Sequence, residues 1–310
     1  MSRREIKNMA ASARSRLLEK SRNEGLAFNQ VLQRYAMERF LYRLSVSEFA
    51  DSFYLKGALL FWVWDLAERR TTMDIDLLGF MDNSLEGIEE AIRRICALDV
   101  SDDGLLFQTD SLRVQRIKED ADYEGVRVVF RAGLDTAVIA MQVDIGFGDR
   151  VGQGVDMCDF PVLLDMPVPR LKCYPVETVV AEKFEAMVKL ELLNSRMKDF
   201  YDIWLLSRQH TFKMPGLLEA CRATFRQRGT SCSLDNPLFG TEMKESETKQ
   251  VQWSAFCRKS KLTTCPDTFA GLLDELFVFL LPLARAIDSN ETVNGHWLPD
   301  GAWEFKPEKT

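Results

Sequence analysis

The sequence predicts an α/β protein of the α+β kind, in which a central run of strands lies between helical N- and C-terminal parts. Three observations predict it. Apolar residues recur at helical spacing before residue 51, alternate with period two between Phe53 and Phe147, and return to helical spacing from Tyr174 onward. The expected organisation is therefore 1–51 as N-terminal helices packing on the core, 52–170 as a β-sheet core, and 171–310 as a helical C-terminal region.

Residues 3–24 and 26–43 read as two helices parted at Gly25, and Val46–Asp51 as a short third. The segment Phe53–Phe80 then changes character. It reads as a strand (Phe53–Lys56), a turn at Gly57, an apolar helix (Ala58–Leu66), a basic loop (Glu68–Met73) and a second strand (Asp74–Phe80). In that strand Asp74 and Asp76 share a face roughly 6–7 Å apart, with Ile75 and Leu77 packed behind. Two such carboxylates suit one hard divalent cation, although a bare D-x-D also describes a solvated strand edge. Asp is depleted in strands, and here two of them follow Lys56, Gly57, Arg69 and Arg70. Carboxylates that hold a metal, beside cations and backbone amides that meet phosphate, fit a metal-bound triphosphate.

Ser84 caps a helix running to about Leu98. Strands are expected at Leu105–Gln108, Leu112–Ile117, Val126–Arg131 and Val138–Phe147. In the last, Ile139, Met141, Val143, Ile145 and Phe147 alternate on one face and leave Asp144 on the other. If that strand lies beside Asp74–Phe80, three carboxylates surround one point; otherwise Asp144 is an exposed acid on a half-wet sheet.

The helix 176–192 carries an apolar stripe with Lys183 inside it, a position that fits either a snorkelling stem or a lysine aimed at phosphate. Asn194 or Ser195 caps the next helix, where Lys198 and Asp202 have the spacing of an ordinary surface ion pair. Helices are further expected at 215–228, about 242–260 and Phe269–Ile287, the last bent at Pro282. The aromatic tail with Trp297, Trp303 and Phe305 either folds back or awaits a partner.

Composition narrows the class. With 46% apolar and 28% charged residues the chain reads as a globular, soluble protein. No apolar run reaches the roughly 18 residues of a membrane span, and the N-terminus lacks a secretory core, so the expected location is cytoplasmic. The seven cysteines form no C-x-x-C pair, which argues against zinc and for reduced thiols. The net charge of −7 is uneven: 1–43 and 166–228 are basic, while 44–165 and 229–310 are acidic. Such asymmetry leaves two basic segments able to hold a polyanion. The two histidines, His210 and His296, sit far from every motif, so neither a histidine triad nor a histidine-bearing two-metal hydrolase is indicated.

Taken together, K-G-A-L-L, then R-x-T-x-D-I-D-L-L-G, a later V-D-I strand, Y-P-V-E-T-x-x-A-E-K-F and S-R-M-K-D-F-Y-D-I resemble the AbiEii/AbiGii nucleotidyltransferase toxin family over roughly Phe53 to Leu206. The resemblance implies a nucleotidyltransferase-like mixed sheet core and Mg2+- or Mn2+-dependent transfer from an NTP. It also implies a cognate antitoxin, and an RNA acceptor such as the tRNA 3′ end. By position it assigns Asp74, Asp76 and Asp144 to the metal. Lys183, Asp199 and Asp202 join them as catalytic residues, and Lys56, Gly57, Arg69, Arg70, Thr72, Lys183 and Lys198 are assigned to the nucleotide. One departure stands out: many members carry Ser or Thr just after the first glycines, whereas this chain has Ala58 and Leu59, so Thr71 and Thr72 are the nearest hydroxyls. A nucleotide-binding regulatory or antitoxin-like protein, and transfer to a protein hydroxyl, are the alternative readings.

Overall fold

The computed structural model describes residues 8–100, 102–120, 123–148, 155–299 and 301–305. The chain forms two compact units. The first takes in the described residues of Met1–Asp65, Thr71–Asp149 and Val155–Tyr174; the second takes in Leu66–Arg70 and the chain from Pro175 on.

The first unit opens with α1 (Met9–Glu24), capped by the Asn8 side chain on Ala11 N (3.0 Å) and closed by Gly25 at φ 66°. Residues 3–7 of the expected helix lie outside the described residues. α2 (Phe28–Ser45) is buried along most of its circumference, including charged residues. These are paired: Arg43 holds Asp103 at 2.6 and 3.2 Å, and Arg39 reaches Glu38 at 3.1 Å and the Pro167 carbonyl at 2.7 Å. Burial pushes the Glu38 carboxyl up to about 7 even against Arg39.

β1 (Phe53–Lys56) is followed by a single 3-10 turn (Gly57–Leu59) and a one-turn α3 (Leu60–Val63). The expected helix to Leu66 is thus cut short, and Asp65 and Glu68 beyond it take positive φ. The expected helix at Val46–Asp51 reduces to a 3-10 turn at Ala50–Ser52. β2 (Ile75–Gly79) leads to α4 (Leu85–Ala97), whose cap is Ser84 as expected. β3 (Leu105–Asp120) joins the two strands expected there, with a register shift between Gln108 and Arg113. β4 (Tyr123–Leu134) and β5 (Ala137–Phe147) complete a meander, and the short strands β6 (Asp156–Asp159) and β7 (Arg170–Cys173) follow.

The resulting mixed sheet has the order β3-β4-β5-β2-β1-β7-β6. β2 runs parallel to β5 and antiparallel to β1, which in turn runs parallel to β7. Alternation sends Val126, Val128, Phe130, Ile139, Met141, Val143 and Ile145 into the core, where Phe40 of α2 meets Phe107 and Phe130.

The second unit is mostly helical: α5 (Val176–Leu190), α6 (Met197–Gln209), α7 (Met214–Arg228), α8 (Thr241–Glu245), α9 (Glu247–Ser260) and α10 (Phe269–Ser289, containing Pro282). β8 (Phe212–Lys213), β9 (Gly295–Leu298) and β10 (Ala302–Phe305) make a small sheet. The aromatic tail folds back. Trp297 is 1% exposed and donates to the Ser207 carbonyl, and Trp303 donates to that of Phe279. Among the described residues, no helix is long and apolar enough to cross a membrane.

Candidate active site

One row of side chains crosses the sheet of the first unit. Lys56 of β1 pairs with Asp76 of β2, Asp76 with Asp144 of β5, Asp144 with Arg127 of β4, and Arg127 with Gln115 of β3. Directly opposed residues share a sheet face, so the row reads cation, carboxylate, carboxylate, cation. Asp74, just before β2, adds a third carboxylate. Ligand oxygens of Asp74, Asp76 and Asp144 all lie within 4.8 Å of one another.

That spacing matches a hard cation. An ion about 2.0–2.1 Å from each oxygen spans about 4.2 Å between opposed ligands, so small side-chain shifts bring all three carboxylates onto one centre. The chain also clears space for the carboxylates. Gly57 sits at φ +74°, and a Cβ there would lie 1.9 Å from Asp76 Oδ2, so no larger residue fits without displacing that carboxylate. The Thr72 hydroxyl donates to Asp74 Oδ1.

Asp144 is braced more firmly. Arg127 clasps it with two parallel bonds, Nε to Oδ1 at 2.8 Å and Nη2 to Oδ2 at 2.7 Å, and Gln142 Nε2 adds one at 3.1 Å. The bond to Asp144 holds the Arg127 pKa above its ordinary value; burial opposes this, while the charges of Asp144, Asp74 and Asp76 reinforce it.

The second unit holds its own charged cluster. Lys183 Nζ of α5 lies 2.6 Å from Asp199 Oδ1 and 2.9 Å from Asp202 Oδ2, both on α6. Arg70 takes Asp202 bidentately at 2.8 and 3.0 Å. Asp202 is fully buried and the Lys183 side chain is 14% exposed. Burial disfavours the charged ammonium of Lys183, but Asp199 and Asp202 outweigh it and raise its pKa. Burial likewise works against the Asp202 carboxylate, and Arg70 and Lys183 overcome it and pull its pKa down. Tyr201 donates to the Glu68 carbonyl and Gln209 bonds Ala67, which fixes the loop bearing Arg70.

The structure therefore brings Lys56, Gly57, Thr72, Asp74, Asp76 and Asp144 together in one unit, and Arg70, Lys183, Asp199 and Asp202 together in the other. Arg69 donates to the Leu66 carbonyl at 2.6 Å, and Lys198 is exposed on α6. Asp202 takes Lys183 and Arg70 as its partners instead of the Lys198 expected from i, i+4 spacing. The sequence reading missed Arg127 and Gln142. The signal for Arg127 was present: the two-residue connection Asp135–Thr136 opposes Leu134 to Ala137, and that register carries Arg127 to Asp144.

The family model for the nucleotidyl transferase AbiEii toxin of a type IV toxin–antitoxin system matches residues 39–275. No curated protein matches the chain. Among solved structures, JHP933 from Helicobacter pylori is similar at 14% identity and a TM-score of 0.45, over 86% of this chain and 94% of that one. A candidate nucleotidyltransferase from H. pylori is similar at 14% identity and a TM-score of 0.46, over 86% and 100%.

Proposed function

The chain belongs to the AbiEii nucleotidyltransferase toxin family, and from that premise we propose that it transfers a nucleotide from an NTP to the 3′ end of an RNA, with tRNA as the acceptor. The observation that carries the reading is the row Lys56–Asp76–Asp144–Arg127 with Asp74 beside it. Asp74, Asp76 and Asp144 would hold Mg2+ or Mn2+. A divalent ion bound there supplies positive charge against the triphosphate and the departing pyrophosphate.

The chain's own groups set the geometry. Thr72 fixes Asp74, Arg127 and Gln142 fix Asp144, and Gly57 leaves the room Asp76 occupies. Positioned carboxylates favour in-line attack of the acceptor hydroxyl on the α-phosphorus, because orientation is set before the reaction. Lys56, Arg69, Arg70, Lys183 and Lys198 are assigned to the nucleotide. Two of the three ammonium protons of Lys183 face Asp199 and Asp202, which leaves one for a phosphate oxygen. In this reading Asp199 and Asp202 keep Lys183 charged and aimed. The family implies an antitoxin partner, and a reaction that draws on NTP and RNA suits the cytoplasm.

The test is incubation of the purified protein with Mg2+, each labelled NTP in turn, and total RNA. Label at RNA 3′ ends that chelation of the metal abolishes is the expected result. Label on protein bands and never on RNA would move the acceptor to a protein hydroxyl. Absence of label with every NTP would favour a nucleotide-binding regulator.

A further inference from the structure

The solvent face of the β3–β4–β5 meander continues from the carboxylates and carries a second set of cations. Alternation that buries Val128, Phe130 and Met141 presents Arg127, Val129 and Arg131 on β4, Ala140 and Gln142 on β5, and Gln108 and Arg113 on β3. Gln33, Gln108, Arg113, Arg131 and Gln142 line a trough of about 930 Å3 on this face, with Asp110 its one carboxylate. Among the described residues, the Arg113 guanidinium bonds the backbone carbonyls of Asp110 and Leu112 at 3.3 and 2.7 Å, and the exposed Arg131 guanidinium has no carboxylate partner. Two guanidinium groups thus face solvent in a stretch that the sequence tally counts as acidic.

We propose that this trough binds the acceptor RNA strand and leads its terminal hydroxyl to the carboxylates. The inference rests on the nucleotidyl-transfer reading for the identity of the acceptor. Arg131 lies opposite Ala140, four residues along β5 from Asp144, which is about 14 Å of strand. That separation, with Arg113 in between, suits successive phosphates of a strand approaching the carboxylates. Guanidinium forks match phosphate oxygens, and the amides of Gln108 and Gln142 can meet base edges and 2′-hydroxyls. No aromatic side chain is among the outward-facing residues of this row, so stacking is not the basis of binding and the grip is electrostatic and weakly selective for sequence.

The test measures binding of a labelled single-stranded RNA with a free 3′ hydroxyl by fluorescence anisotropy across a salt series. Arg113→Gln, Arg131→Gln and the double variant are compared with the wild type, with Arg285→Gln, an exposed arginine of α10, as control. Folding is checked by thermal melting, and Arg131→Lys serves as a charge-preserving variant. The double variant should bind RNA about tenfold more weakly and lower the slope of log affinity against log salt by about 1.4, with NTP affinity unchanged. Arg131→Lys should recover most of the loss at that position. A wild type that binds RNA with a double variant that binds equally well would overturn the trough while sparing the proposed function. Loss of NTP affinity in place of RNA affinity would also overturn it. A wild type that binds no RNA would sink the acceptor assignment and this inference together.

Discussion

The two charged clusters contain similar groups and are built in opposite ways. In the second unit, Lys183, Arg70, Asp199 and Asp202 form a balanced set of two cations and two carboxylates, largely withdrawn from water. In the first unit, three carboxylates converge within 4.8 Å beside two cations, Lys56 opposite Asp76 and Arg127 clasping Asp144, so the set keeps one carboxylate in excess. A balanced buried cluster is expected to hold structure, because removing one member strands the others. An excess of converging carboxylates instead favours an added cation, and the loss of the excess charge should cost far less stability than the loss of a member of the balanced set. The same residue types therefore predict opposite responses to substitution.

The largest effect tests the open cluster. Asp76→Asn keeps the shape of the side chain and relieves repulsion from Asp74 and Asp144 while weakening its attraction to Lys56, so the unfolding free energy should change little. Nucleotide transfer should fall by about a thousandfold or more, roughly 4 kcal/mol of transition-state stabilisation. Single-turnover transfer assays beside urea unfolding curves separate the two readouts. A variant that loses stability in step with activity would make the carboxylates a structural set like the other.

Lys183→Met should do the reverse as its first effect. It leaves Asp199 and Asp202 in the interior with Arg70 as the remaining cation of the cluster, at a cost of about 3–5 kcal/mol. Adding Asp199→Asn should recover part of that loss, since one stranded charge is removed with its partner. The cluster also has a pH signature. The Asp202 pKa is lower in the folded protein, so its stabilisation is present above the ordinary carboxylate range and fades as pH falls through the folded value. The Lys183 pKa is higher in the folded protein, so its stabilisation holds below the ordinary lysine value and fades as pH rises through the folded one. Wild-type unfolding curves should show both limbs, and the double variant should flatten the alkaline one.

How legible these clusters were in the sequence follows from their construction. Asp74, Asp76 and Asp144 were visible because strand alternation alone places them on one face, and a single parallel pairing brings them together. The carboxylate partners of Lys183 were invisible because they come from a different helix, and spacing within α6 pointed to Lys198 instead. The apolar run Ala58–Leu66 was over-read as a helix. Short apolar runs do not distinguish one helical turn from three, and the positive φ at Asp65 and Glu68 ends it early. The strands β6 and β7 were missed because each has four residues and the connection between them holds three prolines, which leaves little periodicity to detect.

A smaller effect sharpens the same contrast at the backbone. Gly57→Ala adds a methyl group 1.9 Å from Asp76 Oδ2 at a positive φ, so the carboxylate or the turn must move. Strain of this kind costs about 1–3 kcal/mol. Mn2+ affinity, followed by electron paramagnetic resonance, should weaken alongside it. Undiminished Mn2+ binding would show that the turn does not help place the ligand.

The smallest expected effect is also the most direct comparison. Ligand that binds only the folded state stabilises it by RT ln(1 + [L]/Kd), about 1.4 kcal/mol at ten times Kd. Mg2+ should therefore raise the melting temperature of the wild type by a few degrees at most. The shift should vanish in Asp76→Asn and persist in Asp199→Asn, because Asp199 already has Lys183 as its cation. Since the chain forms two compact units, melting need not be a single transition; the shift belongs to the transition of the unit that carries the three carboxylates. A Mg2+ shift that survived in Asp76→Asn and disappeared in Asp199→Asn would reverse the roles of the two clusters. It would place the metal among Lys183, Arg70, Asp199 and Asp202, where the carboxylates already hold cations.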